Sequence, residues 1–312
     1  MTLDPGIAAI IAALDSGFPR VSEMTGAQVR AAITARRQPV EHPEPVGAVS
    51  DRTVPGPGGD IGIRIYQPLA PSAVPALVVF AHGGGWVFCD LDSHDGLCRA
   101  MANGLNAVVV AVDYRLAPEN RWPAAADDVY AVTEWAARQC DDLGADSDRL
   151  VVAGDSAGGN LAAVAAVMAR DRGGPAIAAQ LLIYPVIAAD FDTESYRAYA
   201  TGYYNSREAM VWYWDQYVPD PDDRVHPYAS PAQADLTGLP PAVIITAGYD
   251  PPRTEGEQYA AALAAAGVPT VHRCYTGAIH GFMTMPTLEL GARALGQAWS
   301  DVQTVLARLS RR

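Results

Sequence analysis

The chain has 312 residues and a net charge of −13, and all 22 of its basic side chains are arginines, because the sequence contains no lysine. That absence excludes pyridoxal-type Schiff bases, the Walker A and protein-kinase lysines, and Ser-x-x-Lys dyads, so that, the chain's own α-amine aside, a base or charge clamp must come from His, Asp, Glu, Tyr or Arg. Such an acidic surface repels phosphate backbones and anionic headgroups, which argues against nucleic acid partners and stable membrane attachment, while 50% hydrophobic and 18% charged residues mark a packed globular chain.

In chain order, residues 1–45 read as helical, with Ile7, Ile10, Ile11 and Leu14 at helical spacing and a second segment starting near Thr25. The apolar run 7–14 is too short to span a bilayer and lacks the basic flank of a signal peptide. After Gly58-Gly59, Ile61, Ile63 and Ile65 alternate with Gly62, Arg64 and Tyr66, which predicts an antiparallel-type strand. Short apolar runs follow at 76–81, 107–112, 150–153, 179–184, 242–246 and 270–275. Helical patterns fall near 93–104, 123–140, 158–170, 252–266 and 287–309. Continuous β-branched runs alternating with helices predict an α/β fold with a mainly parallel sheet covered on both faces. Residues 186–230, rich in Tyr, Trp, Asp and Pro, break the rhythm; Met210, Trp214 and Tyr217 share one helical face there, and the segment is a candidate lid or cap. Cys89, Cys98, Cys140 and Cys274 show no metal or redox spacing, so reduced thiols in a cytoplasmic protein are expected.

Gly154-Asp155-Ser156-Ala157-Gly158 fits G-x-S-x-G directly after the run 150–153 and directly before an Ala-rich helix. A nucleophile on a sharp strand-to-helix turn needs minimal neighbours, and the following helix N-terminus brings N–H groups and a positive dipole end towards it. The competing reading, a Gly-rich turn with a capping serine, does not require this strand–turn–helix setting. His82-Gly83-Gly84-Gly85-Trp86 also follows a strand, and its unshielded N–H groups can face a developing oxyanion, where one donor is worth about 2.7–4 kcal/mol. Ala157, next to the nucleophile, can supply another donor. Of the histidines after Ser156, His272 lies in an alternating strand and His226 in a Pro-rich surface stretch. His280 sits in a loop between a strand and a helix, which suits a base. Asp250 follows the run 242–246 and is the candidate acid; a helix cap before Pro251 competes with that role, and Glu255, inside the next helix, is the alternative acid.

Taken together, these motifs resemble the hormone-sensitive-lipase-like esterases of the α/β-hydrolase superfamily. Asp113-Tyr114-Arg115-Leu116-Ala117-Pro118-Glu119, Tyr184-Pro185, Ser230-Pro231, Asp250-Pro251 and His280-Gly281-Phe282 extend the match from about residue 60 to the C-terminus. The resemblance implies a mostly parallel eight-stranded sheet flanked by helices, with cap helices at 1–45, a core at 46–185 and 231–312, and an inserted cap segment at 186–230. It implies a catalytic triad of Ser156, Asp250 and His280, an oxyanion hole of Gly83, Gly84 and Ala157, and a holding role for His82 and residues 113–119. It further implies a serine carboxylesterase acting on small-molecule esters of short-to-medium chain, with no cofactor or metal and with a homodimer possible. The family's acid motif D-P-L-R-D-E-G reads Asp250-Pro251-Pro252-Arg253-Thr254-Glu255-Gly256 here, a change in the loop rather than in the acid. Two other readings stay open: a small-amide hydrolase with the same triad, and a ligand receptor like the gibberellin receptors, which lack the histidine. Tyr203, Tyr204, Met210, Trp212, Tyr213 and Trp214 either line an acyl pocket or pack the cap onto the body.

Overall fold

The computed structural model describes residues 2–37, 40–285 and 287–309. Eight strands, β1 (Ala48–Gly56), β2 (Gly59–Gln67), β3 (Ala76–Ala81), β4 (Ala107–Asp113), β5 (Leu150–Asp155), β6 (Ala179–Ile183), β7 (Ala242–Tyr249) and β8 (Thr270–Ile279), form one sheet in the order β1-β2-β4-β3-β5-β6-β7-β8. Strand β2 runs antiparallel to β1 and β4, and all other pairs are parallel. Strands β3, β5, β6 and β7 are buried along their whole lengths, because helices cover both faces of the sheet. Alternate side chains divide the interior into two layers. Leu77, Val79, Val110, Val152 and Ile244 face one; Val78, Phe80, Val109, Val151 and Val243 face the other. Each fully buried aliphatic chain contributes about 1.5–3 kcal/mol, and the sheet centre is built from little else.

The helices among the described residues are α1 (Pro5–Gly17), α2 (Gly26–Arg36), α3 (Asp95–Leu105), α4 (Ala124–Arg138), α5 (Cys140–Leu143), α6 (Ala157–Arg172), α7 (Glu194–Ala198), α8 (Arg207–Tyr217), α9 (Arg253–Ala265) and α10 (Glu289–Leu309). α3 and α10 pack one face through Leu97, Met101, Ala294 and Val302, and α4, α6 and α9 pack the other through Val129, Val132, Leu161 and Leu263. α6 is buried from Ala157 to Ala169, and its run of alanines lets backbone lie close to strands.

One strand was not expected from the sequence, and two others run past their expected ends. Residues 48–56 carry no apolar alternation, and only Val54 is buried, yet they pair residue for residue with β2, because an exposed antiparallel edge is held by backbone hydrogen bonds without an apolar face. β7 and β8 run past their apolar segments to Tyr249 and Ile279, delivering Asp250 and His280 directly from strand ends. The β7–β8 register slips between Ala247 and Tyr249, and a Cβ on Gly248 would lie 2.2 Å from the Thr276 carbonyl oxygen, so the irregularity requires glycine.

The two segments outside this layered body meet each other and the loop after β3. Met210, Trp214 and Tyr217 of α8 are buried, with Trp86 stacked on Tyr217 at 4.4 Å and edge-on to Trp214 at 5.1 Å. Arg30 of α2 donates to the carbonyls of Val87 (2.9 Å) and Ala117 (3.1 Å). Phe18, after α1, meets Tyr204 edge-on at 5.0 Å. Among the described residues no helix is long and apolar enough to cross a membrane.

Candidate active site

Ser156 stands between β5 and α6 with φ 55° and ψ −119°, a backbone region non-glycine residues rarely occupy. The turn closes only because its flanks have no side chains: a Cβ on Gly154 would lie 2.1 Å from the Gly158 carbonyl oxygen, and one on Gly158 would lie 2.0 Å from that of Ala81. Ser156 occupies the N-cap position of α6, but its side chain makes no capping bond. Instead its Oγ is 2.8 Å from His280 Nε2, and His280 Nδ1 is 2.7 Å from Asp250 Oδ2. A carboxylate only accepts, so Nδ1 carries the ring proton and Nε2 is free to accept from the serine hydroxyl. Asp250 is 1% exposed and His280 9%, so the pair works away from bulk water. The carboxyl of Asp250 does not cap α9 either; the N-cap position falls to Pro252, without a side-chain bond.

The rival candidates sit elsewhere. Glu255 is buried in α9, accepts from the Ile187 N–H at 3.0 Å, and has its pKa pushed well above the usual carboxyl range by burial; it pins the chain where it leaves β6. His272 is 2.9 Å from Thr246 Oγ1 on the neighbouring strand, and burial lowers its pKa. His226 accepts from the Tyr228 N–H at 3.0 Å and packs on Trp122.

Of the three expected oxyanion donors, Gly83 has its N–H engaged within the protein: it donates to Asp155 Oδ1 at 2.8 Å. The next two glycines line the pocket with Ser156, and their N–H groups have no hydrogen-bond partner among the described residues. Gly84 (φ 111°) and Gly85 (φ 58°) need glycine's freedom, and a Cβ on Gly85 would lie 2.5 Å from the Tyr213 ring. Ala157 is the first residue of α6, where a backbone N–H has no intrahelical acceptor.

Around this loop the buried groups hold rather than react. His82 donates from Nδ1 to the Gly83 carbonyl at 2.7 Å, stacks on Tyr114 at 4.3 Å, and receives the Tyr114 hydroxyl on its own carbonyl at 2.7 Å. Burial draws its pKa down to about 4, leaving a neutral ring at neutral pH. Arg115 binds Asp128 through Nε and Nη2 at 2.8 Å each. A histidine–carboxylate pair missed by sequence reasoning lies alongside: His94 Nε2 is 3.1 Å from Asp155 Oδ1. The available signal was an acid at a fully buried strand position, which must find a partner.

The pocket over Ser156 has a volume of about 100 Å³, and Phe18, Phe88, Tyr204, Met210 and Tyr213 form its apolar wall. Of the six large cap side chains, Tyr204, Met210 and Tyr213 line it; Trp214 packs on Trp86, Tyr203 stacks on Tyr249 at 5.0 Å, and Trp212 lies edge-on to Tyr213. Among the described residues no cluster of His, Cys, Asp and Glu could hold a metal ion.

Comparison with known proteins adds four likenesses. A family model described as alpha/beta hydrolase fold matches residues 78–284. Esterase LipI of Mycobacterium tuberculosis is 46% identical over 252 residues, 79% of this chain and 78% of that one; the carboxylic ester hydrolase LipN of the same organism is 42% identical over 270 residues, 84% and 71%. Among solved structures, a hyperthermophilic esterase from Pyrobaculum calidifontis superposes with a TM-score of 0.89 at 42% identity, covering 97% of this chain and 99% of that one.

Proposed function

The chain belongs to the alpha/beta hydrolase fold family and is a carboxylesterase, and we propose that Ser156, His280 and Asp250 are its catalytic triad, with Gly84, Gly85 and Ala157 as its oxyanion hole. One observation carries the assignment: an unbroken path from Ser156 Oγ to His280 at 2.8 Å and on to Asp250 at 2.7 Å, at the mouth of a strained strand-to-helix turn. Ser156 Oγ attacks the ester carbonyl carbon while His280 Nε2 takes its proton. The three N–H groups receive the resulting oxyanion; the intermediate collapses, and His280 returns the proton to the departing alcohol. Water, deprotonated by His280, then attacks the acyl-enzyme, releasing the acid and restoring Ser156. Asp250 keeps the ring oriented and stabilises the imidazolium formed in each half.

The narrow pocket supports the short end of the acyl range, since sites for drug-sized ligands run to roughly 300–1,000 Å³. We assign the cap to α1 and α2 with α7 and α8, on the strength of the Phe18–Tyr204 and Trp86–Tyr217 contacts. The four free thiols support a reducing, cytoplasmic location. Ser156→Ala is the direct test: hydrolysis of p-nitrophenyl acetate should fall by about 10⁴-fold or more with the circular dichroism spectrum unchanged. Turnover near the parent level would remove Ser156 from the mechanism.

A further inference from the structure

His94 and Asp155 line the pocket, yet among the described residues only His280 bonds to Ser156 Oγ. What they hold instead is the glycine loop. Asp155 Oδ1 is a shared acceptor, taking the Gly83 N–H at 2.8 Å and facing His94 Nε2 at 3.1 Å. The second nitrogen of His94 is 2.9 Å from Ser93 Oγ, which donates to the Asp90 carbonyl at 2.7 Å and accepts the Asp90 N–H at 2.9 Å. Both oxygens of the Asp90 carboxylate accept from Arg37 Nη2 at 2.7 Å. A continuous polar chain thus runs from the end of α2 to the loop that faces the substrate carbonyl.

We propose that Asp155 and His94 are positioning residues for the oxyanion hole: Asp155 captures the Gly83 N–H and so turns the N–H groups of Gly84 and Gly85 toward the substrate oxygen, while His94 offsets the charge that this capture places beside the developing oxyanion. The proposal rests on the reading that Gly84, Gly85 and Ala157 are the donors. Backbone geometry supports the first half. A Cβ on Gly83 would lie 2.5 Å from Asp155 Oδ2, so loop and carboxylate are in direct contact, and the two glycines that follow occupy positive φ. Electrostatics supports the second half. Burial works against ionisation of Asp155, but the attraction and hydrogen bond of His94, together with the Gly83 N–H, outweigh it and hold the carboxyl below its usual range. A carboxylate left without His94 would repel the negative charge that forms on the substrate, and in a buried site that repulsion is poorly screened.

These two jobs give a signature that loss of packing does not. His94→Ala leaves Asp155 unopposed, so kcat for p-nitrophenyl acetate should fall by about 100-fold with KM within about threefold. The inhibition constant of an aryl trifluoromethyl ketone, whose adduct carries the oxyanion, should rise by the same factor as kcat/KM falls. Asp155→Asn keeps an oxygen for the Gly83 N–H and should cost only about tenfold; combined with His94→Ala it should restore part of the lost rate, because the unopposed charge is gone. His94→Gln, whose side-chain amide can still donate to Asp155, should lie between His94→Ala and the parent and carries the test if His94→Ala does not fold. A His94→Ala rate within threefold of the parent, a double variant as slow as the product of the two single effects, or an unchanged inhibition constant each overturns the proposal. Ser156→Ala assayed in parallel separates the two levels: if it is inactive while His94→Ala is normal, the triad stands and the positioning pair falls.

Discussion

Two histidine–carboxylate pairs share one pocket, and they differ in what the far nitrogen of the ring touches. In the His280–Asp250 pair that nitrogen meets the hydroxyl of Ser156, a group with a proton to give and a strained backbone that presents it. In the His94–Asp155 pair it meets Ser93, whose hydroxyl is already tied to the backbone of Asp90, so a proton passed there leads nowhere. The carboxylates differ in the same sense. Among the described residues the Asp250 carboxylate bonds to the ring alone, whereas Asp155 also takes a main-chain N–H and becomes part of a loop. In the proposed reading a short distance between histidine and aspartate is therefore not a mark of catalysis; the third partner decides.

The contrast breaks most sharply at the acids. Asp250→Asn reverses the hydrogen bond to His280, favours the wrong tautomer and should lower kcat by about 10⁴-fold, a thousand times the effect expected of the same change at Asp155. Equal losses, measured as kcat on one short-chain ester, would erase the distinction. A second comparison uses pH. His82, whose ring lies 5.6 Å from that of His94, has a native pKa lowered from 6.5 to about 4 by burial first and by His94 second. Below pH 6.5 the unfolded chain takes up this proton while the folded chain does not, so the stabilisation is complete above pH 6.5 and is lost as pH falls towards 4. The loss amounts to about 3 kcal/mol. His82→Asn, which keeps an N–H for the Gly83 carbonyl, should flatten that part of the slope in urea titrations at pH 4.5 and 7; an unchanged slope would mean that His82 does not titrate as a buried group. The smallest effect belongs to the outer end of the holding pair. Arg37 is partly exposed, so Arg37→Ala should cost less than about 1 kcal/mol of stability and less than about threefold in kcat. A larger fall in kcat would show that the chain from α2 transmits more than support.

The sheet was legible where burial leaves a compositional trace. Runs such as 76–81 and 150–153 are β-branched and apolar because both faces are covered, and the segments between them carry helical spacing. Residues 48–56 left no such trace, since an exposed edge strand needs only its backbone. The turn that carries the proposed nucleophile was legible because a strained turn admits few residue types at its flanks. The expected donor role of Gly83 gives way to Gly85 in the proposed oxyanion hole for a different reason. Three consecutive glycines look alike in one dimension, and only the carboxylate of Asp155, seventy-two positions away in the chain, determines which N–H is spent and which remain. His94 was invisible for the same cause: its role is defined by a partner, not by a spacing.

The wall at Phe18 has a consequence for how the protein fails. Phe18 and Tyr204 are joined across about three-fifths of the chain, and the Tyr204 N–H reaches Asp15 at 3.3 Å. Yet of α1 itself only Ile7 is fully buried, while the sheet beneath is buried throughout its centre. Segments with few buried contacts open at lower free energy than the whole molecule does. The Phe18 side of the pocket wall should therefore open at lower free energy than the sheet that carries the proposed triad, and a proteolytic cut near Arg20 should lower ester turnover while the circular dichroism spectrum holds.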